Sequence, residues 1–155
     1  MRRYVGNTDH DWFTFLRSIE PAIDEVNFSW PGESSFRALL PGAPFFFKLK
    51  SPFNAIAGFG YFAHFSILPV SLAWDVYGIG NGARSFAEMR KRLSSIRSRF
   101  GMDTDPKQDF RIGCILVNQP LFFEEGDFVR VPDDRAGNIG PEAIGVRRVS
   151  LTDLL

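Results

Sequence analysis

The chain has 155 residues, 45% of them hydrophobic, a length and apolar content that suit one packed domain and exclude a disordered chain. Eighteen basic residues balance eighteen acidic ones, so no global field draws the molecule to nucleic acid or acidic membranes, although a one-sided distribution survives a zero sum. A single cysteine, Cys114, excludes a disulfide framework and a cysteine-based zinc site, and seventeen phenylalanines imply a core of flat rings, or a core plus an aromatic-lined pocket.

The N-terminus carries Arg2 and Arg3 but no apolar segment behind them, so it does not read as a signal peptide. Every apolar run is interrupted well short of a membrane span. A cytoplasmic protein with no membrane partner is expected. Arg3 to Gly6 reads as a short strand, and Asn7, Thr8 and Asp9 offer oxygens for a turn and a helix cap. Trp12, Phe13, Leu16 and Ile19 then recur at helical spacing, which predicts an amphipathic helix over 10–19, stopped by Pro21. Glu25 to Phe28 reads as a second extended piece and Ser29 to Ser35 as a loop.

Ala43 to Lys50 is a dense aromatic run, Ser51 to Asn54 has turn chemistry, and Ala55 to Phe65 is a second long strand, so an antiparallel hairpin is predicted. Gly58 and Gly60 inside that strand suggest a bulge or a close approach of another backbone or a ligand. A short buried helix is expected between Pro69 and Gly78. Ser85 and Glu88 have capping-box spacing, Phe86, Met89, Leu93, Ile96 and Phe100 mark one apolar face, and Gly101 terminates the helix. Phe110 to Asn118 reads as a strand buried on both faces, with short strands at Leu121–Phe123 and Asp127–Val131. Residues 132–155 read as a loop-rich tail, with a last strand at Val146–Leu151, behind a core of 1–131. The expected fold is α+β: a curled mixed sheet or small barrel with flanking helices, in a single domain.

Three blocks carry a resemblance: Phe36–Gly42 (FRALLPG), Pro44–Pro52 (PFFFKLKSP) and Ile56–Phe62 (IAGFGYF). Together they resemble the central pattern of PUA-like domains, especially the EVE and ASCH branch. A wider resemblance rests on Tyr4–Trp12 (YVGNTDHDW), Glu25–Phe28 (EVNF), Leu68–Trp74 (LPVSLAW), Asn81–Ala83 (NGA), Ile112–Leu116 (IGCIL) and Gln119–Phe123 (QPLFF). These are similar to the N-terminal half of bacterial HNH endonucleases of the restriction type. That resemblance implies a DNA-reading domain, with an HNH nuclease module acting in cis or in trans. Only His10 and His64 occur here, so the His-Asn-His cluster itself is not in this chain, and no catalytic residue, metal site or cofactor is expected.

A PUA-like reader of modified DNA holds a flipped or exposed base in an aromatic cleft, where stacking contributes roughly 1–3 kcal/mol per base. Trp30, in a segment rich in Pro and Gly, is the leading stacking candidate with Phe28, against the alternative of a lid over the barrel end. Asn27 and Ser35 are the edge-reading candidates. Trp12 and Trp74 lie on apolar helix faces, which favours core packing, and Trp12 joins the candidate contacts as well. Asp9 suits a helix cap better than a base edge. Lys48, Lys50 and Ser51 end a strand, where the lysines either protect an edge or hold phosphates together with Arg37. Arg90, Arg92 and Arg97 share a helix that carries Glu88 as its only acid, so phosphate contact competes evenly with a solvated face. His64 is read as a hydrogen-bonded structural residue and Cys114 as a small buried hydrophobe.

The leading functional expectation is a DNA-binding specificity module that reads a modified base or backbone in a restriction or defence setting. An RNA-binding domain of the same fold is the nearest alternative. A small-molecule or hydrolytic enzyme using Asp9, Asp11 or His64, and a protein-docking domain, are the others.

Overall fold

A computed structural model of the chain describes residues 2–33 and 35–131. The elements run β1 Tyr4–Thr8, α1 His10–Ser18, β2 Glu25–Trp30, β3 Pro44–Leu49, β4 Ala55–Pro69, α2 Val70–Tyr77, α3 Phe86–Arg99, β5 Arg111–Phe122 and β6 Val129–Arg130. Single 3-10 turns lie at Gly78–Asn81 and Glu125–Asp127. The sheet order is β1-β3-β4-β5-β2, with β6 pairing the first residues of β4. β1 pairs β3 in parallel, and every other pair is antiparallel. The sheet therefore curls without closing, and β1 and β2 are left as edges of the main strand path.

The predicted hairpin is β3 and β4. Its two inner glycines are required by the next strand, because a Cβ at Gly58 would overlap the Leu121 carbonyl and one at Gly60 would overlap the Val117 side chain. The β4–β5 register slips between Phe59 and Tyr61, as expected of a bulge at that glycine. One face of β3 places Phe45, Phe47 and Leu49 in the main core with Phe13, Leu16, Val26 and Ile115. Phe46 points the other way, into a smaller cluster with Val5, Ile56 and Phe59. A third cluster under α2 and α3 gathers Val70, Ala73, Met89, Leu93, Ile112 and Cys114.

Helix ends follow the sequence closely. The Asp9 carboxylate accepts the Trp12 N–H at 3.1 Å and starts α1. Ser85 Oγ accepts the Glu88 N–H at 3.1 Å and starts α3, but the Glu88 carboxylate turns to Arg92 and Arg84 instead of completing the box. Gly101, at φ +71°, closes α3: its N–H goes to the Ser98 carbonyl and that of Met102 to the Arg97 carbonyl, the paired bonds of a Schellman cap.

Four expectations need correction. Trp30 is not in a loop; it is the last residue of β2, paired with Gly113, whose missing side chain makes room for it. Pro31 and Gly32 pull the composition signal two residues too early. Leu121 and Phe122 belong to β5 and not to a separate strand, and only Val129–Arg130 of the next segment is extended. His64 is exposed on β4, and its ring has no hydrogen bond among the described residues, unlike the hydrogen-bonded structural histidine expected. The tail and the strand expected at Val146–Leu151 lie outside the described residues. Among the described residues no helix is long and apolar enough to cross a membrane.

Cys114 is fully buried, and burial pushes its thiol up to about 11. Because only the thiolate reacts, a thiol reagent should label the folded protein orders of magnitude more slowly than the urea-unfolded chain. Equal rates before and after unfolding would show the strand to be open there.

Candidate functional site

The gap between the two edge strands is a cleft of about 440 Å³. From β1 it receives Tyr4, Val5 and Asn7, and from β2 Phe28, Ser29 and Trp30. Trp12 of α1 and Asn81 line it as well, and α3 adds an apolar wall of Met89, Leu93 and Ile96. Phe100 and Met102, both exposed, join Pro31 and Gly32 in the lining. Its charged groups are Asp9, Lys50, Arg92 and Arg99. Flat side chains thus stand on the strand side and flexible apolar ones on the helix side. Such a slot suits a planar ligand with polar atoms on its edge.

The wall at Trp12 is locked by contacts from four elements. Trp12 packs edge-on against Phe28 and Phe47 at ring separations of 5.5 and 5.3 Å. Its indole N–H donates to the Asn27 carbonyl at 3.2 Å, tying α1 to the β2 edge. Gly82, at φ +80°, passes so close to the indole that any Cβ would overlap it. Arg92 donates to the Gly82 carbonyl at 2.6 Å, and lies 3.7 Å from Asp9 and 3.4 Å from Glu88. Behind this wall the Asn81 amide donates to the Ala73 and Gly78 carbonyls at 3.1 and 2.8 Å. Asn81 Oδ1 is therefore left to accept from Asn27 Nδ2 at 2.8 Å, which fixes both amides.

Of the expected contacts, Asp9, Trp12, Phe28, Trp30, Lys50 and Arg92 meet in this cleft. The others do not line it. Asn27 is fully buried and its amide N–H is committed to Asn81, so the edge-reading role assigned to it is corrected to a structural one. Ser35, Arg37 and Ser51 are exposed outside the lining. Lys48 is only 1% exposed, on the face of β3 opposite Phe47 and Leu49. Burial first, and the charge of Lys50 second, lower its pKa from the ordinary lysine value. Arg90 donates to the carbonyls of Asp105, Pro106 and Gln108. Arg97 donates to those of Asp103 and Pro31 at 3.1 and 2.9 Å, and both guanidiniums stack on Phe110. The basic helix is thus a set of loop clamps, and the guanidiniums expected to hold phosphates hold main-chain oxygens.

Sequence reasoning missed Tyr4 and Asn7, and reached Ser29 and Arg99 only as members of the Asn27–Trp30 segment and of the basic helix. The α3 stripe reads in the sequence only as one apolar face; Met89 and Leu93 both join the core cluster and line the cleft, a dual position that spacing alone does not show. Burial pushes the Tyr4 phenol up, so it enters the site as a neutral hydroxyl. His10 stacks on Phe53 at 5.4 Å and His64 is an exposed residue of β4, and neither histidine lines the cleft. Among the described residues no group of three or more His, Cys, Asp or Glu side chains is placed to hold a metal.

No family model matches the chain, and no curated protein matches it. Among solved structures, it is similar to ASCH from Zymomonas mobilis, with 14% identity, 83% of this chain and 73% of that one covered, and a TM-score of 0.51. A point mutant of the same protein aligns at 12% identity over 90% of this chain and 83% of that one, with a TM-score of 0.50. Similarity at this level concerns the fold. The curled, unclosed sheet with its helices is PUA-like, the class that the sequence predicts.

Trp12→Phe keeps a ring in place and deletes the N–H that ties α1 to β2. The buried Asn27 carbonyl then loses a donor, and the expected cost is roughly 1–3 kcal/mol, read as a lower urea midpoint at unchanged slope. A midpoint equal to wild type would mean that the tether contributes nothing.

Proposed function

We propose that the chain is a nucleic-acid reader that takes one base, flipped from a duplex or already unpaired, into the cleft between β1 and β2. Its natural target on this reading is modified DNA. The observation that carries it is the aromatic slot formed by Tyr4, Phe28 and Trp30, with the exposed cations Lys50 and Arg99 in the same lining. A base stacked on such a wall contributes roughly 1–3 kcal/mol, and stacking alone is blind to base identity. Polar groups in the slot then read the edge. Neither Lys50 nor Arg99 forms an ion pair among the described residues, so both are available to phosphates. The phosphate role expected of Arg90 and Arg97 passes to them.

The modified target and the restriction setting rest on the sequence resemblance to the N-terminal half of HNH endonucleases. The PUA-like fold supports a base-holding cleft in general. The strand side of the slot suits a flat base, and the apolar α3 wall across the same cleft would face an apolar substituent on it. An HNH module in cis or in trans would supply cleavage.

Duplexes carrying methyl-, hydroxymethyl- or glucosyl-cytosine or phosphorothioate linkages, measured against unmodified DNA and matched RNA, test this reading. One modified duplex should bind more tightly than the rest. Trp30→Ala should weaken that complex by roughly 1–3 kcal/mol while leaving residual unselective binding through phosphate contacts. Removing Lys50 or Arg99 should weaken all sequences alike and reduce the salt slope by about one unit each. Equal binding across the panel, or a Trp30→Ala complex as selective as wild type, would remove the base-reading proposal.

A further inference from the structure

Asp9 is the only acidic side chain lining the cleft among the described residues. One of its oxygens, Oδ2, is already engaged by the Trp12 N–H at 3.1 Å and by the Arg92 guanidinium at 3.7 Å. The other, Oδ1, takes no hydrogen bond from the described residues, and the side chain is 43% exposed. The carboxylate does not swing freely. Its cap bond fixes it to α1, and Arg92, only 17% exposed, is itself held by the Gly82 carbonyl and by Glu88. The cleft lining therefore includes a held carboxylate, beside flat walls, with one oxygen that none of the described residues engages.

A carboxylate accepts hydrogen bonds and donates none. An aromatic slot that ends on one selects an edge carrying N–H donors and disfavours an edge lined with carbonyls. Guanine, cytosine and adenine each have an exocyclic amino group, whereas thymine and uracil set carbonyls on both sides of their single ring N–H. We infer that Asp9 determines base specificity, making the cleft selective for an amino-bearing base over thymine or uracil. This rests on the base-reading function proposed above and adds to it the chemical class of the base. The capping role and the reading role do not compete, because they use different oxygens of one carboxylate.

The test uses oligonucleotides that differ at a single unpaired position, with cytosine, adenine, guanine, thymine or uracil there, and compares wild type with Asp9→Asn and Asp9→Ser. Both replacements are good helix caps, so α1 keeps its first bond. Wild type should favour the amino-bearing bases over thymine and uracil by about tenfold or more. Asp9→Asn, which adds a donor, should narrow or reverse that preference. Asp9→Ser, which lacks the second oxygen, should lower affinity for the amino-bearing bases without gain for thymine. Binding that keeps its order of preference in both variants overturns the inference and leaves base reading standing. Wild-type binding indifferent to the base overturns the inference and, with it, edge reading, leaving only stacking that is blind to base identity. No binding to any oligonucleotide overturns both.

Discussion

A sheet that curls without closing must do something with its last two strands, and here a single indole settles it. Trp12 reaches from α1 to the Asn27 carbonyl on the free edge of β2. The same ring fills the space over Phe28 and Phe47, so a main-chain acceptor is satisfied and apolar area is buried in one contact. Everything around the cleft is adjusted to that ring. Gly82 has no side chain because the indole occupies its place, and Arg92 holds the Gly82 turn against α3. Asp9, which starts the helix that carries Trp12, is drawn into the same set of contacts through Arg92. The opening between β1 and β2 is thus a supported structure, held from four elements.

The phenylalanine-rich core follows a related rule. Large rings pack at high density only where a neighbour gives way, and this chain meets each dense row with glycine. A Cβ on Gly6 would press on the Phe45 and Phe28 rings at 2.8 and 2.9 Å, and one on Gly113 would press on Phe65 and Trp30. Gly6 lies on β1 and Phe28 on β2, so this pairing of small and large residues brings the two edges close without main-chain hydrogen bonds between them. The aromatic wall of the cleft is the exposed margin of this packing.

Much of this was legible beforehand. The hairpin, both longer helices and their caps follow from local chemistry: apolar period, glycine position and side-chain oxygens within three residues of the group they cap. What was not legible depends on partners distant in sequence. Trp30 reads as loop because Pro31 and Gly32 follow it, yet Gly113 on β5 keeps it extended. The arginines of α3 read as a phosphate stripe because charge is visible in a sequence, whereas the Pro31, Asp103 and Gln108 carbonyls that engage them are not. Asn27 reads as a polar group beside a tryptophan, and only its meeting with Asn81, fifty-four residues away, shows that its amide N–H is already used, while its Oδ1 is buried without a partner among the described residues. The Phe28–Trp30 part of the candidate cleft was legible because it lies on one short stretch of strand, whereas its meeting with Tyr4 and Asn7 of β1 and with the apolar face of α3 is made only by the fold.

The placement of the three tryptophans has a practical consequence. Trp12 and Trp30 line the cleft, whereas Trp74 packs near Phe86 at 6.5 Å, outside it. Two of the three intrinsic fluorophores therefore sit where a bound aromatic ring would quench them, and the third serves as an internal reference. Occupancy of the cleft becomes readable in the ultraviolet emission of the unlabelled protein. Replacing Trp74 by Phe would leave a chain whose entire tryptophan signal comes from the site.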